Sequence, residues 1–454
     1  MSVRKSVRFL GVCLAAFVVL PACSGPQDVS ANKDDTAEID ADWTASLADA
    51  DRGHREMPGV LLDEGSVFML GSLFDEPTKD PVFYTFDVDS GDISWQSETG
   101  VANAWVTSDF VVLEYLDALV EVRDRESGEL RYDVEGDREV TDAVAVSEDA
   151  IFTVAQDGQN AELEARALKS GKREWSTTVD AEASVYAPVQ APDVHGYRLS
   201  VNESGLWRAQ SPESVSVRVP DDDGTDYEYV AHAVDDGDKQ WSVPAPASNI
   251  STPRLFMTMT SENRMLLMEP VRKDCSATYA TVEEGASRPV EFDVQLTQAC
   301  DNSLGAVFAD DLIYARDDSG KPQVWDSNTG EVVWSADEAG LPVTLSDGVA
   351  TYAVDGQDGS TIKSVDIDSG EALWTWKRKR VSAGKLDRFT GRVGMPEQHV
   401  FGNAMESYAV DSASGEELWR YPGVAAGFDE DHVVFITGFG EPEGEKTLAV
   451  VETQ

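Results

Sequence analysis

The chain is short of cysteine, of positive charge and of long apolar runs. Four cysteines in 454 residues are too few for a disulfide-built miniature scaffold. Only 36 residues are Lys or Arg against 84 Asp or Glu, and the formal net charge is −48. A nucleic-acid binder displaces counterions from phosphate with a basic footprint, so this balance excludes nucleic acid as a partner. The five histidines (His54, His195, His232, His399 and His432) show no i, i+2 or i, i+4 metal spacing. They read as isolated polar or core side chains. No G-x-S-x-G, H-E-x-x-H or G-x-x-x-x-G-K-[ST] motif occurs. After residue 20 no stretch approaches the roughly 20 apolar residues of a transmembrane helix. What is present is core-forming material: 41% hydrophobic and 9% aromatic residues exclude disorder throughout.

The first 22 residues read as an export signal. Arg4, Lys5 and Arg8 form a positive n-region, and Phe9 to Leu20 is an apolar run too short to span a bilayer. The run ends Leu20-Pro21-Ala22-Cys23, followed by Ser24-Gly25. This resembles a bacterial lipobox, although Pro21 departs from the usual pattern. The resemblance implies that the Cys23 thiol is acylated and becomes the mature N-terminus. Two or more acyl chains hold a protein on a membrane where one does not. Removing residues 1–22 leaves 33 basic against 84 acidic residues, a balance of −51. Residues 23–42 are small and polar and read as a flexible tether, with a reach of about 25 Å.

The remainder repeats itself. Asp87-Val-Asp-Ser-Gly91-Asp-Ile-Ser-Trp95 is echoed at Gly128 with Tyr132, Gly171 with Trp175, and Gly237 with Trp241. It recurs at Gly330 with Trp334, Gly370 with Trp374, and Gly415 with Trp419. In every case the aromatic stands four residues after the glycine. Six of the seven aromatics are Trp, out of eleven in the chain. Each position has a physical reason. Asp, Ser or Thr before the glycine bonds its local backbone and favours a turn. Glycine takes the positive φ that closes a short hairpin, with a bulge. Alternating residues before the turn, such as Phe83-Tyr84-Thr85-Phe86, read as a strand. The residues after it form a short outer strand, whose terminal Trp is large enough to pack between one sheet and the next.

The aromatics are spaced 37, 43, 66, 93, 40 and 45 residues apart. Four strands per 40–45 residues is the period of a propeller blade. The 93-residue gap is expected to hide a degenerate unit at Ala280–Gly285 and Pro289–Phe292, with Phe292 in place of Trp. The 66-residue gap implies an insertion around Ser211 to Asp226, tipped by the acidic run Asp221–Asp226. The pattern A-x-D-x-x-[ST]-G-x-x-x-W resembles the repeats of the PQQ-like β-propeller family, which includes quinoprotein alcohol dehydrogenases and BamB. The likeness is closest at Asp326–Trp334, Asp366–Trp374 and Asp411–Trp419, and covers roughly residues 55–454. The expected fold is all-β: a propeller of four-stranded antiparallel blades over residues 43–454. The family implies eight blades, with seven and nine left open. The last repeat lacks an outer strand, and Ile39–Trp43 is expected to supply it, which would leave the ring without an open edge.

For function the same residues point away from catalysis. The quinoprotein resemblance implies a PQQ pocket with a vicinal disulfide, a calcium ion and an Asp base. No adjacent cysteines exist here, so neither PQQ nor calcium is expected, and no metal site is assigned. Cys275 and Cys300, left after export, read as a disulfide closing a 26-residue loop. It would be worth about 3 kcal/mol on the chain-entropy model. A redox pair is the alternative. The acidic segments Asp221–Glu228 and Asp355–Ser360 match no EF-hand spacing and read as solvated loops. One segment breaks the acidic pattern: Lys377, Arg378, Lys379 and Arg380, followed by Lys385, Arg388 and Arg392, hold seven of the 33 basic residues. This is the candidate site for an anionic partner, with a solvated basic loop as the plainer reading. The expected protein is a monomeric, non-enzymatic lipoprotein, anchored on the extracytoplasmic face of the cell membrane. There it would bind unidentified proteins as a scaffold, with a role in envelope assembly as one form of that work. The alternatives are a PQQ-dependent dehydrogenase or a ligand-sensing head for a membrane partner.

Overall fold

The computed structural model describes residues 27–30, 41–47, 59–71, 80–117, 119–134, 140–157, 160–180, 184–186, 197–200, 207–208, 214–220, 227–244, 256–261, 264–268, 276–283, 290–295, 307–309, 312–317, 319–346, 348–356, 359–379, 392–395, 398–403, 406–428, 431–438 and 446–452. Every regular element among them is a β-strand. The strands sort into four-stranded antiparallel units that follow one another along the chain. Unit 1 comprises Gly59–Asp63, Ser66–Gly71, Val82–Asp87 and Ile93–Gln96. Units 2 and 3 repeat the plan over 101–134 and 140–180, and unit 4 runs from Ser184–Tyr186 through 214–244. Unit 5 spans 256–295, and unit 6 spans 307–335. Unit 7 comprises Leu341–Ser346, Val349–Gly356, Gly359–Asp366 and Ala372–Lys379, and unit 8 spans 392–422. Unit 9 takes Val424–Phe428, His432–Thr437 and Lys446–Glu452 from the C-terminal end and Trp43–Leu47 from the N-terminal end.

Among the described strands there are thus nine such groups, the upper end of the expected range. The degenerate stretch forms a complete unit, Phe256–Ser261, Arg264–Met268, Ser276–Glu283 and Val290–Gln295. The pairing of Trp43–Leu47 completes another. The architecture is that of a β-propeller.

The core lies between units rather than within any one. Leu61, Phe68 and Phe83 of unit 1 pack with Val101, Val111 and Leu113 of unit 2. Ile362, Trp374 and Trp376 of unit 7 pack with Tyr408 and Val410 of unit 8. The ends meet in the same way: Leu47, Val434, Leu448 and Val450 of unit 9 pack with Val60, Met69, Tyr84 and Phe86 of unit 1. Sheets alternate their side chains between two faces, and here both faces are covered by neighbours, so each inner strand reads as nearly continuous apolar residues.

Three expectations are corrected. The closing strand starts at Trp43 rather than ending there, because Trp43 pairs with Val450 and Leu47 with Lys446. The insertion lies upstream of Ser211–Asp226: Ser214–Pro220 is itself a strand of unit 4. The extra chain includes a hairpin, Tyr197–Ser200 with Trp207–Arg208, laid along Val101–Val106 of unit 2. Asp221–Asp226 lie outside the described residues. Finally, residues 23–42 are not all tether. Gln27–Ser30 is a strand, paired parallel to the outer strand of unit 7.

Candidate functional site

The repeat motif builds one joint, used over and over. Asp87 begins a tight turn: Ser90 donates its backbone N–H and its hydroxyl to Asp87 Oδ1, both at 2.8 Å. Gly91 N–H closes the turn on the Asp87 carbonyl at 2.9 Å. The same box recurs at Asp124 with Ser127, Asp366 with Ser369 and Asp411 with Ser414. These bonds to the ionised form hold the Asp87 and Asp366 carboxyls below their ordinary pKa. For Asp124, Arg131 adds to Ser127 and the value falls to about 2. Motif glycines 91, 128, 171, 237, 330, 370 and 415 all have φ between 66° and 77°.

The aromatic of one unit then covers the glycine of the next. A Cβ at Gly128 would stand 2.4 Å from the Trp95 ring, and one at Gly415 would stand 2.6 Å from Trp374. Trp43 covers Gly91, Tyr132 covers Gly171 and Trp175 covers Gly237 in the same manner. Each indole also donates its N–H to a carbonyl just past the turn's first residue. Trp95 reaches Arg125 O at 2.9 Å, Trp374 reaches Ser412 O at 2.8 Å, and Trp43 reaches Val88 O at 2.6 Å. Glycine is required twice over, once by the positive φ and once by the ring lying on it. Trp43 therefore pairs into unit 9 and fastens onto unit 1, joining the two ends of the chain.

Trp334 is built differently. Its ring stands half-buried against Tyr314 and Tyr352, with centroids 6.4 and 5.9 Å away. Nothing lies within 4 Å of a Cβ placed on Gly370. Trp419 packs edge-on against Phe435 of unit 9, at 5.7 Å. Trp241 lies on the strand Lys239–Pro244, opposite Ala231.

Two features of the joints escape the motif as read. Five residues before the glycine, Arg123 and Arg166 donate to the carbonyls of Gly128 and Gly171, at 2.9 and 3.2 Å. His232 Nδ1 meets the Gly237 carbonyl at 2.9 Å. A carbonyl acceptor requires the proton on Nδ1, and burial holds the imidazole below its ordinary pKa. The shared offset was the available signal, obscured because the residue types differ. The second feature is Arg125, buried in the turn of unit 2. It pairs with Asp63 at 2.9 Å, donates to the Thr107 carbonyl, and lies 5.1 Å over Phe68. It clips unit 2 to unit 1.

Of the basic segment, Lys377–Lys379 end the outer strand of unit 7, Ala372–Lys379, and Arg392 opens the first strand of unit 8. Trp374 and Trp376 are buried, and Lys377 is exposed. Arg378 and Lys379 occupy the last two strand positions, paired with Ser360 and Gly359. Arg380, Lys385 and Arg388 lie outside the described residues, as do Cys23, Cys275 and Cys300. Ser276 pairs with Gln295. Among the described residues no three His, Cys, Asp or Glu side chains gather as a metal site.

Residues 290–438 match the family model described as outer membrane protein assembly factor BamB. No curated protein matches the chain in sequence. Among solved structures, BamB from Moraxella catarrhalis aligns with 78% of this chain and 99% of its own, at 14% identity and a TM-score of 0.42. A europium-containing methanol dehydrogenase aligns over 91% and 93%, at 13% identity and a TM-score of 0.44. The quinohemoprotein alcohol dehydrogenase from Comamonas testosteroni aligns over 93% and 77%, also at 13% and 0.44. All three TM-scores are below 0.5, so the fold assignment rests on strand topology and on the matched repeats. The repeats within residues 290–438 are thus similar to those of the BamB family model, and the strand topology carries the same four-stranded plan through the other described units.

Proposed function

We propose that the chain is a membrane-anchored, extracytoplasmic propeller lipoprotein that binds other proteins as a scaffold and catalyses no reaction. The observation that carries this reading is how the motif residues are used. The Asp holds its Ser, the glycine lies under a ring, and the indole N–H holds a carbonyl of the next unit. What repeats is a fastener, and it builds a rigid body whose loops are left for recognition. The family matched by residues 290–438 is that of an outer membrane protein assembly factor, which favours protein binding over chemistry. The Leu20–Cys23 sequence supports acylation at Cys23. The working form in this reading is a monomer without PQQ or calcium.

Crosslinking in intact cells followed by mass spectrometry tests it. A reproducible set of envelope proteins joined to the chain is expected. Dye-linked alcohol oxidation on addition of PQQ and Ca²⁺ would overturn it. Cys23→Ser should release the protein from the membrane fraction.

A further inference from the structure

The outer strand of unit 7 differs from the others in what lies beside it. Gln27–Ser30 runs parallel along it, pairing Gln27 with Trp374 and Ser30 with Lys377. Among the described outer strands it is the one that carries a further strand along its length. Only Ser24, Gly25 and Pro26 separate Cys23 from Gln27. Four residue steps span at most about 14 Å. The strand from Trp374 to Lys379 covers about 16 Å. An acyl chain on Cys23 would therefore hold this edge, rather than the whole head, close to the lipid surface.

The charge of the same edge fits that surface. The head carries −51 after export, and an anionic bilayer repels most of it. The strand ends in three consecutive cations, Lys377, Arg378 and Lys379, and Lys377 is exposed. Leu373, 40% exposed, stands near the end where Gln27 pairs. An acyl anchor combined with a basic patch is a two-signal attachment.

We infer that the outer edge of unit 7 is the membrane-facing rim, and that Lys377–Lys379 dock anionic phospholipid headgroups. This rests on the anchored reading above, and fixes which side of the propeller is turned away and left for partners. The far rim, with units 2 and 3, then faces outward.

The test uses the full mature protein in vesicles of phosphatidylcholine, with or without phosphatidylglycerol. Lysines are acetylated briefly and read by mass spectrometry. Lys169 and Lys172, both exposed on the unit 3 turn, serve as controls. With phosphatidylglycerol, acetylation of Lys377 should fall about fivefold while the controls stay unchanged. High salt, or Arg378→Glu with Lys379→Glu, should restore it. Equal labelling of Lys377 on both vesicles would overturn the docking, as would protection that survives the double substitution. The mass of the N-terminal peptide reports the anchor separately. A chain without acyl groups that does not float with vesicles overturns the anchored reading. An acylated chain lacking lipid-dependent protection overturns the docking alone.

Discussion

The joint between units 7 and 8 and the joint between units 6 and 7 share the same motif letters and differ in construction. In the first, Trp374 is fully buried, lies on Gly415 and bonds the Ser412 carbonyl. In the second, Trp334 is only partly buried, between two tyrosines, and Gly370 is uncovered. Beside Trp334, Val332 and Val333 are 50% and 43% exposed. Both glycines keep the left-handed backbone, with φ of 70° and 71°. The turn is thus a local property of the Asp-x-x-Ser-Gly sequence, whereas the fastening depends on where the preceding ring goes. A repeat motif guarantees the first and only permits the second.

The largest test of this contrast is removal of the two rings. Trp374→Ala deletes a buried indole and leaves a cavity, at a cost of about 3–5 kcal/mol. Trp334→Ala should cost less, about 1–3 kcal/mol, because part of its surface is already hydrated. Denaturant midpoints of the two variants would show the difference directly. Equal losses would mean that Trp334 fastens unit 7 as firmly as Trp374 fastens unit 8. Sequence reading alone gave the two tryptophans the same weight.

The glycines sharpen the comparison by a smaller margin. Gly370→Ala meets only left-handed strain, about 1–2 kcal/mol. Gly415→Ala meets the same strain plus the Trp374 ring, adding about 1–3 kcal/mol of overpacking. Gly370→Asn should come close to neutral, since Asn tolerates this backbone and has room there. The readout is again the unfolding midpoint, and the order Gly415→Ala, Gly370→Ala, Gly370→Asn is the expected ranking. A Gly370→Ala variant as unstable as Gly415→Ala would indicate that something covers the slot in solution.

Much of this was legible in the sequence because the fold repeats. The four-residue offset from glycine to aromatic is visible at seven places, and a period near 40 residues leaves few architectures. Trp43 was recognisable as the missing outer aromatic, but the strand direction was not, since Ile39–Trp43 and Trp43–Leu47 alternate about equally well. The parallel strand Gln27–Ser30 was illegible for a plain reason. Gln-Asp-Val-Ser carries one apolar residue and no alternation, and its pairing comes from backbone bonds to an edge that is distant in sequence. Arg123, Arg166 and His232 stand at a motif position that holds Phe86, Trp325, Val365 and Val410 in the other repeats, so no letter pattern exposed them. The basic segment was plain as composition, yet only topology showed that Lys377–Lys379 end the one outer strand, among those described, lined by Gln27–Ser30.

The smallest expected effect asks whether the turn is independent of the ring above it. Asp124 sits in a joint whose glycine is covered by Trp95, and Asp366 in the joint whose glycine is open. Both carboxyls are held below the ordinary value of 3.8, that of Asp124 at about 2. A depressed folded pKa means the native state favours the carboxylate. Its contribution is complete above the unfolded value and drains away as pH falls through the folded one. For Asp124 that window is pH 4 to 2. Asp124→Asn should therefore lose little at pH 7, below about 1 kcal/mol given the solvent screening of an exposed turn. It should also flatten the loss of stability on acidification. Asp366→Asn should flatten the curve in the same direction, despite the open slot at Gly370. Stability measured from pH 6 to 2.5 would decide it. If only Asp124→Asn alters the acid limb, the Arg131 bond or the covering ring, and not the shared turn, carries the acid sensitivity of that joint.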